Sequence, residues 1–142
     1  MTPDLNLWQF ILKNIEQSKP VILLLVLESK GSSPGRQGFK MVVTRDNIIG
    51  SIGGGIMEHK FVEMAKMKLR TIGDEPLIRK QIHSKSAKMN QSGMICSGEQ
   101  TIALLYLTKK YFIVIEKILN CLLKKSKWFV KNNSGNNNLF RK

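Results

Sequence analysis

At 142 residues the chain has room for one domain with a proper core, and 42% hydrophobic with 23% charged content is ordinary for a soluble globular protein. Its net charge of +13 is not ordinary: residues 1–108 hold 14 basic and 9 acidic side chains, whereas residues 109–142 hold 9 basic ones against Glu116 alone. A basic excess favours any polyanion without specificity, and no run of five or six basics or RNA-binding aromatic signature makes nucleic acid more than a minor hypothesis. Two cysteines, an acidic N-terminus and a longest apolar run of Val21 to Leu27 argue against a disulfide framework, an export signal and a membrane span, which needs roughly 20 residues. A cytoplasmic setting is expected.

Thr2-Pro3-Asp4 reads as a helix start, with Leu5, Trp8, Ile11, Leu12 and Ile15 recurring at helical spacing until Lys19-Pro20. Val21 to Leu27 has no polar alternation, as expected of a strand covered on both faces. Glu28 to Phe39 reads as a loop punctuated by Gly31, Pro34, Gly35 and Gly38, with Ser32, Ser33, Arg36 and the neighbouring Lys40 as donors. Its composition suits a phosphate cradle or a plain turn. Lys40 to Ile52 predicts a hairpin reversing at Arg45-Asp46-Asn47.

Gly50-Ser-Ile-Gly-Gly-Gly-Ile-Met-Glu58 then joins that hairpin to a helix over Gly55 to Leu69. Gly53, Gly54 and Gly55 remove every Cβ from a short piece of backbone, so a ligand could approach the main chain. The helix start behind them offers free N–H groups and a positive dipole end. Anion binding is one reading, a tight turn that only glycine fits is the other, and Glu58 suits either a helix-start role or a ligand-facing one. The spacing matches neither the dinucleotide fingerprint nor a Walker loop. His59 and His83 are isolated, which gives no metal site or triad from histidine.

Leu77 to Ile82 predicts a modest strand and Ser84 to Gln91 a loop or one helical turn. Cys96 follows on a loop between Gly93 and Gly98, directly before the apolar strand Thr101 to Leu107. An accessible thiolate there could meet a soft metal or carry a persulfide; a small buried hydrophobe is the plainer reading. From Tyr111 an amphipathic helix is expected, with Cys121 in its core-facing half, then a short strand at Trp128-Phe129-Val130. Asn132 to Lys142 reads as a disordered tail or linker.

Three segments together, Gly31-Ser-Ser-Pro-Gly-Arg-Gln-Gly-Phe-Lys-Met41, Gly50–Glu58 and Ser92-Gly-Met-Ile-Cys-Ser-Gly98, resemble the N-terminal domain of the XdhC/CoxI family, over residues 5–108. These are accessory proteins of xanthine dehydrogenase and carbon monoxide dehydrogenase. The resemblance implies binding of the molybdenum cofactor (molybdopterin), its protection and sulfuration, and delivery to a client molybdenum hydroxylase, without turnover by the accessory protein itself. It implies Cys96 as the contact to molybdenum or its sulfur, and Ser32, Ser33, Arg36, Lys40, Gly53, Gly54, Gly55 and Glu58 as cofactor-binding positions. Ile56 stands where many relatives carry a second cysteine, and Ser97 replaces a glycine. Many relatives continue into a Rossmann-like domain; here a separate partner, a homodimer or a truncated one-domain form is expected instead.

The expectation is therefore an α/β fold, a mixed β-sheet covered by helices, in a single domain over residues 1–131 with 132–142 as tail. Two alternatives stand beside the carrier role: sulfur transfer through a Cys96 persulfide, with a cysteine desulfurase as partner, and a basic nucleotide- or nucleic-acid-binding module.

Overall fold

The computed structural model of this chain describes residues 3–33, 35–71, 73, 75–82 and 98–136. Helix α1 (Pro3–Glu16) leads into strand β1 (Val21–Gly31), followed by β2 (Lys40–Val43) and β3 (Ile48–Gly50). Helix α2 (Gly55–Arg70) then crosses to β4 (Leu77–Ile82) and β5 (Gly98–Leu107), and a 3-10 turn at Lys109–Tyr111 opens helix α3 (Phe112–Asn136). The five strands form one sheet in the order β3-β2-β1-β5-β4.

β1 lies at the centre because its unbroken apolar run can be covered on both faces. Ile22, Leu24 and Val26 point to one side, where Met57, Phe61, Val62 and Ala65 of α2 pack over them with Ile102 and Leu104 of β5. Val21 and Leu23 point to the other, against Leu7, Ile11 and Ile15 of α1 and Ile115 of α3. Alternation along one strand thus builds two cores, one per face. The expected sheet covered by helices is present, and its pairing is antiparallel throughout rather than mixed. The physical reason is topological. β3 and β4 run in the same direction, but α2 carries the chain from one sheet edge to the other, so three strands separate them and no parallel pair forms.

Three local expectations need correction. β1 continues through Glu28, Ser29 and Lys30 to Gly31, four residues into the expected loop, because those residues pair with Gly98–Thr101 after a bulge between Val26 and Glu28. Trp128-Phe129-Val130 is helical, not a strand: α3 runs unbroken through it and on to Asn136, in a stretch that reaches no glycine before Gly135 and no proline at all. Cys121 is exposed rather than in the core. Ile115 and Leu119 hold the first turns of α3 against the domain, whereas Trp128 and Phe129 are 66% and 61% exposed. Lys117, Lys124, Lys125, Lys127 and Lys131 are exposed on the same helix, so the basic excess of the last quarter lies mainly there. Among the described residues no helix is long and apolar enough to cross a membrane.

Candidate functional site

The turn into α2 is built from three successive glycines with positive φ, 132° at Gly53, 80° at Gly54 and 72° at Gly55. An L-residue is strained in this region, and a run of three is open only to glycine. The amides turned inward by this path are satisfied from within. Glu58, in the first turn of α2, reaches back so that its Oε2 accepts from the Gly54 N–H (2.6 Å), the Ser51 hydroxyl (2.8 Å) and, more weakly, the Ile52 N–H (3.4 Å). Ser51 Oγ in turn accepts from the Gly53 N–H at 3.1 Å. The protein therefore supplies its own anion at these amides, and an external anion would have to compete with it there. Glu58→Gln keeps the length and an acceptor oxygen but loses the charge, and should cost about 1–2 kcal/mol in chemical denaturation.

The first glycine loop meets this turn at Gly35, which is buried. A Cβ on Gly35 would stand 2.1 Å from the carbonyl oxygen of Ile52 and 2.4 Å from Nε2 of Gln100, so only glycine lets the two backbones approach. Gln100 on β5 is fully buried, and its Nε2 donates to Gly35 O (2.9 Å) and Ile52 O (3.3 Å). Gly35 O also accepts from the Ser29 hydroxyl at 2.8 Å, and the Ser33 hydroxyl donates in turn to Ser29 Oγ. Gly98 is the third point of closure: it pairs with Gly31, and a Cβ there would meet Lys30 O at 2.7 Å and Ser33 N at 2.8 Å. Opposite Gln100 on β4, Gln81 brings a buried Oε1 with no hydrogen-bond partner among the described residues.

The remaining expected residues divide. Ser32 and Arg36 are exposed on the first loop, and Arg36 forms no ion pair with a described carboxylate. Lys40 faces the other side of the sheet. It shares that side with Val42 under α1, its Nζ donates to Gly38 O (2.9 Å) and pairs with Asp4 (3.1 Å), and its side chain is only 17% exposed. An open cavity of about 460 Å³ lies beside it, bounded by Asp4, Leu7, Phe39, Gly50 and Ser51. Glu58 and Lys40 thus flank the same turn from opposite faces.

Comparison with known proteins points to one family. The model of the XdhC and CoxI family matches residues 15–79, which span both glycine loops. Over that stretch the chain is similar to the XdhC and CoxI family. A crystal structure described as a xanthine dehydrogenase from Bacillus halodurans superposes with a TM-score of 0.68 at 18% identity, over 87% of this chain and 36% of that one. That likeness concerns the fold, and the chain spans about a third of the length of the protein it resembles. No curated protein matches the chain.

Against the XdhC and CoxI pattern, the structure brings Ser33, Gly53, Gly54, Gly55 and Glu58 to one end of the sheet and turns Lys40 to its other face. Cys96 and its neighbours Ser92 to Ser97 lie outside the described residues, as does His83. Ile56, where many relatives carry cysteine, is exposed at the start of α2. Among the described residues no three His, Cys, Asp or Glu side chains are grouped to hold a metal ion. Sequence reasoning missed Gln100, Gln81 and Ser51. The signal for Gln100 was present, an amide one residue before an apolar strand. It read as loop because the strand was expected to begin at Thr101.

Proposed function

We propose that this chain binds the molybdenum cofactor and passes it to a xanthine dehydrogenase-type enzyme, as a carrier without turnover of its own. Likeness to that family supports an accessory role beside such an enzyme. The observation that carries the finer reading is the meeting of the first two motif segments at Gly35 and Ile52 under Gln100 of β5, with Gly98, the last residue of the third, paired to Gly31 of the first.

The residues present fit such a group. Ser32 and Arg36 are exposed donors suited to its phosphate. When bound, the cofactor would supply a soft metal, and Cys96 is the thiolate assigned to it. Glu58 acts as the internal cap of the glycine turn in this reading, and Lys40 keeps the first loop in place through Gly38.

The test is purification from cofactor-producing cells with molybdenum and pterin measured per chain. Close to one of each is expected for the wild type, and Cys96→Ala should lose most of the molybdenum while remaining folded. A wild type carrying neither would sink the reading. Added sulfur on Cys96 after exposure to a cysteine desulfurase, seen by mass spectrometry, would favour sulfur transfer instead. Salt-sensitive oligonucleotide binding that survives Cys96→Ala would favour the nucleic-acid module.

A further inference from the structure

We propose that Gln100 is the positioning residue of this site: its side-chain amide ties the first glycine loop to the glycine turn, so that the two move as one unit. The proposal rests on the cofactor reading for its functional consequence and on the geometry alone for the coupling.

Gln100 sits on the α2 face of β5, in line with Ile102 and Leu104, where hydrocarbon surrounds every other side chain of that row. A fully buried amide in such a place is costly unless its donors are used. Both N–H bonds of Nε2 go to main-chain oxygens, one on each loop, at Gly35 and Ile52. Those two positions are 17 residues apart in sequence and belong to different connections of the sheet. The missing Cβ of Gly35 is what lets the amide reach both carbonyls, since a methyl group there would stand 2.4 Å from Nε2. A hydrophobic residue at position 100 would fill the volume but leave two buried carbonyls without this donor, and the loops would then open independently.

Native-state hydrogen exchange tests this on the full chain. The reporters are the Gly38 N–H, bonded to Val26 O, for the first loop, and the Gly54 N–H, bonded to Glu58, for the turn. In the wild type both amides should open with the same free energy. In Gln100→Met, which keeps the volume and removes the donors, both should exchange about tenfold faster or more, while ladder amides in the middle of β1 and β5 keep their protection. Affinity for molybdenum cofactor released from a molybdoenzyme should fall by a similar factor. If the loops of the wild type open with unrelated free energies, or Gln100→Met leaves both rates unchanged, the coupling is wrong. Coupled loops in a wild type that binds no cofactor would uphold Gln100 as the tie and defeat the carrier reading. If Gln100→Met does not fold, the wild-type exchange pattern alone decides the matter.

Discussion

Alanine at Gly35 should be among the most damaging single-methyl additions in the chain, lowering stability by about 3 kcal/mol or more. The new Cβ would stand 2.1 Å from Ile52 O and 2.4 Å from Gln100 Nε2. Backbone oxygen cannot rotate out of the way, so the first loop must lift from the glycine turn. Lifting it breaks the Gln100 and Ser29 bonds to Gly35 together. Buried polar groups left without partners add to the steric cost. Gly54→Ala is the matched control. Its φ of 80° with ψ of −175° is a conformation open essentially only to glycine, but nothing lies within 4 Å of the added Cβ, so only the backbone cost of about 1–3 kcal/mol is expected. Urea denaturation of the two variants should separate them in that order; equal losses would show that the approach of the two loops is not what requires glycine at position 35.

Phe61→Ala should cost a comparable or larger amount, about 3–5 kcal/mol. Phe61 is 1% exposed and stands at the centre of the α2 face of the core, among Met57, Val62 and Ala65 of its own helix and the inward side chains of β1 and β5. Truncation removes most of its buried area and leaves a cavity that a sheet on one side and a helix on the other cannot close. The effect should reach the candidate site, because Glu58 lies one turn earlier on the same helix and caps the glycine turn through the Gly54 N–H. Met67 on α2, 64% exposed, provides the contrast: Met67→Ala should change stability by no more than about 0.5 kcal/mol. Thermal unfolding followed by circular dichroism would rank them. A Phe61→Ala protein as stable as the wild type would contradict the packing of α2 described above.

Much of this architecture was legible in the residues. The unbroken run Val21 to Leu27 announced a strand covered on both faces, and it is the central strand with a core on each side. The glycine triplet announced a strand-to-helix turn, and Glu58 three residues on was open to a helix-start role, which its bond to Gly54 supports. Polar residues misled at two places. Glu28 to Lys30 look like loop, yet their backbone pairs with β5, and a ladder needs only N–H and C=O groups from each residue. Trp128 to Val130 look like strand by composition, yet the helical start of α3 propagates through them, since each added residue gains a bond without a new nucleation cost.

Local features follow from the residues alone: where apolar runs demand cover and where only glycine can turn. The tertiary structure alone decided which of those stretches touch, on which face of the sheet each side chain stands, and which group answers each buried amide. The reason is that hydrophobic period and backbone sterics act over a few residues. A contact such as Gln100 to Gly35 spans 65 positions and exists only once α2 has carried the chain across the sheet and β5 has returned to pair with β1.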